Sequence, residues 1–292
     1  MTSPRPAAPA PRISVVINTL NEERNLPYAL RSVRSWVDEI VIVDMHSDDR
    51  TVEIAESFGA RVYPHEPMGF ADPARAFAIA QCTGDWILIL DADELVPAPT
   101  SRTFQSLARN DDYDVIKIPW LNYISGSPLM HTGWGPSQEK HYRFFRRGFL
   151  EATAEVHRFL QPSPTARVLE LPYRPEHVIV HFNCRDVTEF IDKLNRYTTI
   201  EATQALERGA RSSPARALFQ ATKTFLGRYI YPKGFRDGWR GWYFSLFMAF
   251  YRLMIHAKME ELRRIGTGEM IDARYREEAE RLLAAYPREE TD

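Results

Sequence analysis

Residues 84–94 read Gly84-Asp85-Trp86-Ile87-Leu88-Ile89-Leu90-Asp91-Ala92-Asp93-Glu94. A short, wholly apolar run that ends abruptly in acids predicts a strand buried on both faces, with its carboxyl end at a polar edge. Two stretches upstream have the same shape: Ile13-Ser14-Val15-Val16-Ile17-Asn18, and EIVIVD over Glu39 to Asp44. A shorter strand is predicted over Ala60 to Tyr63. Between them, Asn25 to Val37 carries Leu26, Leu30, Val33 and Val37 at helical spacing. Thr51 to Phe58 predicts a second helix closed by Gly59, and Pro73 to Gln81 a third. Strands alternating with helices predict an α/β fold, with a mainly parallel sheet covered by helices on both faces.

The pattern loosens after Leu95. A helix is expected over Pro99 to Arg109 and an extended segment over Val115 to Pro119. Leu121 to His141 is rich in Gly, Pro, Trp and His and reads as site-building loops. Further strands are expected at Tyr142 to Phe145 and Val178 to Phe182. From Val187 the sequence turns helical, with a break near Gly209 to Pro214 and a turn at Tyr231 to Gly234. The expected organisation is a disordered Pro/Ala-rich lead-in over 1–12, a catalytic domain over 13–186 and a helical extension over 187–292.

Apolar and charged fractions of 44% and 26% are those of an ordinary globular chain, and a net charge of −2 argues against a nucleic-acid partner. That average hides an asymmetry. Twelve Lys/Arg face four acids between Glu207 and Arg264, so this segment is +8 and the remainder −10. Two cysteines, Cys82 and Cys184, without zinc spacing, imply a reducing cytoplasm. The first residues lack the apolar core of a signal peptide, and no apolar run reaches the ~20 residues of a membrane span.

In open parallel sheets, ligands bind at the carboxyl ends of the strands. Asn18 and Asn21 follow the first strand, Asp44 the second, and Asp91 and Asp93 the fourth. Acids crowded at one edge repel unless a cation compensates, which points to a hard divalent metal, Mg²⁺ or Mn²⁺, bridging carboxylate to phosphate. Asp44 alone reads equally well as a strand-end acid, with Asp48 or Asp49 capping the next helix. The turn after the first strand, Thr19-Leu20-Asn21-Glu22-Glu23, contains no glycine, so the dinucleotide fingerprint is missing. GxxxxGK[ST], HExxH and GxSxG are missing as well.

Ser14 to Glu23, then Val41-Ile42-Val43-Asp44 with Ser47-Asp48 and Thr51, then Gly84 to Glu94, together resemble glycosyltransferase family 2. Within it they resemble the bacterial branch of lipopolysaccharide core β-glucosyltransferases. The resemblance implies a GT-A, Rossmann-like fold, an inverting mechanism and a nucleotide-diphosphate sugar donor, with uridine as the base by analogy. It assigns Asp44 to the nucleotide base or ribose, and Asp91 and Asp93 to the metal and diphosphate. Arg75, in Asp72-Pro73-Ala74-Arg75-Ala76, falls where relatives place an arginine near the donor, although Ala76 replaces the asparagine that usually follows.

Inversion needs one in-line attack by an acceptor hydroxyl, with a carboxylate taking its proton. The candidate bases are Glu139, in Gly135-Pro136-Ser137-Gln138-Glu139, and Glu155, in Ala154-Glu155-Val156-His157. Relatives often read Val-His-Glu where this chain reads Val156-His157-Arg158. Glu139 stands where relatives have an acid before an Arg-x-Phe-Arg run, here Arg143-Phe144-Phe145-Arg146. His157 is a candidate metal ligand from beyond the central motif, whereas His181 reads better as a hydrogen-bonded strand-edge histidine. Trp134 is a candidate to stack on a sugar, and Trp120 reads as core.

The uncharged aromatic stretch Gly241 to Tyr251 lies among Lys223, Arg228, Lys233, Arg236 and Arg240. It suits an interfacial helix on an anionic membrane surface, and equally a helix buried against the core or in a dimer contact. The expected protein is a metal-dependent glycosyltransferase acting on a cell-envelope glycan or lipid-linked acceptor, cytoplasmic and peripheral at the inner face of the plasma membrane. The competing readings are a sugar nucleotidyltransferase, which usually opens with a glycine-rich loop, and a membrane-associated protein that binds nucleotide sugars without turnover.

Overall fold

The structure is a computed structural model that describes residues 10–67, 72–152, 160–284 and 286. The chain divides into two compact units, 1–185 and 186–292. In the first, strands and helices alternate as β1 (Ile13–Thr19), α1 (Leu26–Val33), β2 (Glu39–Asp44), α2 (Thr51–Ser57), β3 (Arg61–Pro64), α3 (Asp72–Ala80) and β4 (Trp86–Asp91). There follow β5 (Glu94–Leu95), α4 (Ala98–Ala108), β6 (Val115–Ile124), β7 (Ser127–Pro128) and β8 (Lys140–Arg146). The unit closes with β9 (Leu150–Ala152), β10 (Leu160–Pro162), β11 (Val168–Glu170) and β12 (Ile179–Cys184).

The main sheet runs β3-β2-β1-β4-β8-β6-β12-β5. Every residue of β1 is buried, which is why that strand carries Val and Ile on both faces and sits between β2 and β4. The four N-terminal strands are parallel, as their apolar runs predict. Beyond β4 the pairing is mixed, because β8 is antiparallel to both β4 and β6 while β12 is parallel to β6. One face of the sheet packs an aromatic stack, Trp86 on Phe144 at 4.7 Å and Phe144 on Phe104 at 4.9 Å, all three fully buried. Fully burying a side chain of this size contributes roughly 2–3 kcal/mol.

Strand β6 departs from the sequence expectation. It continues to Ile124, five residues past Pro119, into a stretch that composition alone reads as loop. Its parallel partner β12 supplies the missing backbone hydrogen bonds there, which the local sequence does not announce.

The second unit is helical: α5 (Val187–Glu207), α6 (Pro214–Tyr229), α7 (Gly238–Arg264) and α8 (Gly268–Leu283). Asp186 caps α5 through the Glu189 amide, and Ser213 caps α6 through the Arg216 amide. The inward face of α7 carries Phe244, Ala249, Tyr251 and Ile255, and Phe244 meets Phe190 of α5 edge to face at 4.8 Å. At Gly241 a Cβ would lie 1.8 Å from the Gly234 carbonyl oxygen, so only glycine lets α7 start this close to the preceding turn.

Candidate active site

The register places the polar residues side by side. Asn18 at the end of β1 lies opposite Asp91 of β4, and Thr19 lies opposite Asp44 of β2. Asp44 is buried and accepts hydrogen bonds from Thr19 Oγ1 at 2.9 Å, Ser47 Oγ at 2.6 Å and the Ser47 amide at 2.8 Å. It therefore staples the loop after β1 to the loop after β2. Asn21 extends the staple: with φ of 56° it takes a left-handed conformation that asparagine tolerates. From there its amide donates to Ser47 Oγ, and its side-chain oxygen accepts from the Asp48 amide. The Asp49 carboxylate accepts from the amides of both Glu23 and Thr51. In contrast, Asn18 Nδ2 is buried and has no partner among the described residues, so it presents an unmet donor at this edge.

Asp91 is the hub of an ion-pair network. Arg75 of α3 donates to its Oδ1 at 2.8 Å, and Arg143 of β8 to its Oδ2 at 2.8 Å. Burial opposes ionisation of Asp91, but Arg143 and then Arg75 outweigh it and hold the carboxyl well below the usual carboxylate range. Glu94 is wholly buried; it accepts the Asp91 amide at 2.8 Å and lies 3.4 Å from Arg143. Burial pushes its carboxyl up to about 7, with the charge of Asp91 acting the same way despite Arg143. Arg143 also stands over the Trp120 ring, 4.7 Å from its centroid.

Asp93 faces a second chain of contacts. Its Oδ2 lies 3.4 Å from His181 Nε2. His181 Nδ1 is 2.7 Å from Asn122 Oδ1, and Asn122 Nδ2 donates to the Trp134 carbonyl at 3.0 Å and to Glu139 Oε2 at 2.8 Å. Both Asn122 amide hydrogens are thus spent, so its oxygen accepts from His181 and the Nδ1 proton is fixed. His181 Nε2 is left aimed at Asp93. Burial of His181 disfavours its charge, but Asp93, Glu94 and Asp91 overcome this and raise its pKa. Trp120 fills the space between, with its centroid 4.7 Å from the His181 ring and 3.9 Å from the His141 ring. Glu139 is also 3.5 Å from His141 Nε2. Gly135 opens the turn that holds Glu139: a Cβ there would lie 2.0 Å from the Met130 carbonyl oxygen, and the Glu139 amide donates to the Gly135 carbonyl.

The structure thus connects Asp91 with Arg75, and Asp93 with Glu139 through His181 and Asn122. Asn18 stands beside Asp91, while Asp44 and Asn21 are occupied in the loop staple. Glu155 and His157 lie outside the described residues. Among the described residues no three acids, histidines or cysteines form a metal-binding group. Asp93 Oδ2 and His181 Nε2 nonetheless offer two ligands of the right chemistry. A divalent ion that takes its remaining ligands from phosphate and water fits such a pair. Arginines hold both Asp91 oxygens, so Asp91 contributes charge balance here rather than a free ligand. Asn122 carries no local sequence signal; only the parallel register of β6 with β12, which sets Asn122 beside His181, reveals it.

The glycosyltransferase family 2 model matches residues 14–160, which include every residue of this edge named above except His181. The chain belongs to glycosyltransferase family 2. Its α/β architecture is the GT-A fold that the sequence resemblance implied. An uncharacterized glycosyltransferase of Rickettsia typhi is 25% identical over 260 residues, covering 86% of this chain and 87% of that protein. The lipopolysaccharide core biosynthesis glycosyltransferase LpsC of Rhizobium meliloti is 26% identical over 270 residues, 89% of this chain and 96% of that one. Among solved structures, glucosyl-3-phosphoglycerate synthase from Mycobacterium tuberculosis, in complex with Mn²⁺, UDP and phosphoglyceric acid, aligns with a TM-score of 0.43 and 18% identity. That alignment covers 70% of this chain and 80% of the other.

Proposed function

We propose that the protein is an inverting, metal-dependent glycosyltransferase that moves a sugar from a UDP-sugar to a cell-envelope glycan or glycolipid at the cytoplasmic face of the plasma membrane. One observation carries the reading: the Asp93 carboxylate and the His181 imidazole stand 3.4 Å apart at the carboxyl edge of the sheet, next to the Arg75–Asp91–Arg143 network. The similarity to a lipopolysaccharide core glycosyltransferase over most of both chains supports the class of acceptor.

In this reading Asp93 and His181 Nε2 would hold Mg²⁺ or Mn²⁺, which when bound supplies positive charge to the diphosphate leaving group. Asn18 Nδ2 donates to an oxygen of the donor and meets its hydrogen-bonding need. The loops stapled by Asp44 and Asn21 form a rigid rest for the nucleotide, with Asp44 nearest the base or ribose. Arg75 and Arg143 set a positive potential beside the diphosphate as its charge grows. Glu139 is the base: it takes the proton of the acceptor hydroxyl as that oxygen bonds to the anomeric carbon and the sugar–phosphate bond breaks, leaving UDP. Its carboxylate is held for this by Asn122 and lies beside His141.

The test is Asp93→Ala. Thermal-shift titration with UDP and Mn²⁺ should show a ligand-dependent rise in melting temperature for the parent chain and none for the variant. Transfer from a UDP-sugar should fall by about 10³-fold or more, the scale of losing a main electrostatic stabiliser, with the fold intact by circular dichroism. Substantial residual transfer by a folded Asp93→Ala would defeat the assignment.

A further inference from the structure

Helix α7 is apolar on two opposite faces, and the fold uses only one of them. Its inward residues are buried, yet Trp239, Trp242, Tyr243, Leu246, Phe250 and Leu253 are 37–52% exposed. Their spacing of three, one, three, four and three puts them on a single stripe along the helix. Helix α6 repeats the arrangement: Ala217 and Ala221 face inward, while Leu218, Phe219 and Leu226 are 46–67% exposed. The two stripes join. Phe225 of α6 lies edge-on to Trp242 of α7 at 5.3 Å, Tyr229 does the same, and a groove of about 590 Å³ between the helices is lined by Phe225, Leu246, Phe250 and Leu253. A contiguous apolar surface of this kind marks an interaction site.

The charges around it identify the partner. From Arg216 to Arg252 there are seven Lys/Arg and one acid, Asp237. Lys223, Lys233 and Arg236 are exposed and have no acidic partner among the described residues. By helical angle, Lys223 and Arg216 border the α6 stripe. A second copy of the chain docked here would set two such basic rims against each other, whereas lipid phosphate neutralises them. No helix among the described residues is long and apolar enough to cross a membrane.

We propose that the joined outer face of α6 and α7 is a docking surface for an anionic lipid bilayer, with Trp239, Trp242 and Tyr243 at headgroup depth and the basic rim on lipid phosphates. This rests on the membrane location put forward above and not on the transfer chemistry.

The test uses the full chain and vesicles of phosphatidylcholine with or without the anionic lipid phosphatidylglycerol, whose surface potential attracts Lys and Arg. The parent chain should co-sediment with the anionic vesicles at least tenfold more than with the neutral ones, and release as salt rises. Leu246→Glu/Phe250→Glu and, separately, Lys223→Glu/Lys233→Glu/Arg236→Glu should each lower binding about tenfold or more. All changed side chains are exposed, so the variants should fold; an unaltered UDP/Mn²⁺ thermal shift checks this and keeps the donor site as a separate question. Equal binding to both vesicle types, no binding by the parent, or binding unaffected by either variant overturns the proposal. Concentration-dependent dimers that Leu246→Glu/Phe250→Glu dissolves, without vesicle binding, assign the face to a second copy instead.

Discussion

The two ends of the main sheet treat their charges in opposite ways. At the amino end four acids are answered by partners of their own. Glu39 accepts from Ser14, Thr83 and Arg61; Asp85 accepts the Arg12 amide; Asp38 accepts the Ile13 amide; and Asp114 takes three hydrogen bonds from Arg167. At the carboxyl end Asp91, Asp93 and Glu94 crowd around Arg75, Arg143 and His181, Glu94 is forced toward its neutral form, and Asn18 Nδ2 is unmet among the described residues. A closed network serves stability. A network with a strained acid and a spare donor is arranged for a ligand.

The difference can be broken first at Arg143. Arg143→Met takes the cation from the buried Glu94 and leaves the half-buried Asp91 with Arg75 alone, and breaking a buried pair from one side costs about 3–5 kcal/mol. Urea unfolding should show a loss of that size; a loss under 1 kcal/mol would mean that the carboxyl-end network is not under charge stress. Asn122→Ala should weaken Mn²⁺ binding in the presence of UDP by about 10–100-fold, the range for removing a partner that orients a metal-bound histidine. The readout is calorimetric, so loss of activity alone does not decide it.

Asp114 is the control at the amino end. Hydrogen bonds and charge from Arg167 hold its carboxyl down at about 2, below its ordinary 3.8. Its contribution is therefore complete above pH 4 and fades as pH falls toward 2. Asp114→Asn should cost about 1–2 kcal/mol near neutral pH, flatten the stability profile in that acid window and leave UDP affinity unchanged. The smallest effect is expected at Asn18. Asn18→Ala should reduce UDP affinity by about tenfold, close to one hydrogen bond, without lowering the melting temperature, since the donor it removes has no partner among the described residues. A drop in melting temperature without a change in affinity would make Asn18 a structural residue.

The sheet's first half was legible because its signal is local. Runs such as Val15-Val16-Ile17 and Ile87-Leu88-Ile89-Leu90 are apolar on both faces, and no other placement buries both. Asp91 and Asp93 were legible for the same reason: strand ends at a parallel edge must be polar. The extension of β6 to Ile124 was not, since its hydrogen bonds come from β12, more than fifty residues away. Nor was the burial of Arg143 between Asp91, Glu94 and Trp120, which depends on the pairing of β8 with β4 and β6.

The aromatic tail shows the same limit. A helix apolar nearly all round carries no periodicity that says which side faces inward, so α7 allowed burial and surface docking alike. Packing of Phe244 and Ile255 inward settles the buried face and leaves Trp242, Leu246 and Phe250 outward, on the face proposed above for lipid.

By itself the sequence determined the strand–helix alternation, the polar carboxyl edge and the pair Asp91/Asp93, all written within windows of about ten residues. Tertiary structure alone decided that Asp91 belongs to two arginines and Asp93 to His181, and that Asn122 fixes the histidine's proton. Those assignments join β4, β6, β8 and β12, and contacts between residues so far apart depend on sheet order and register, which local propensity does not encode.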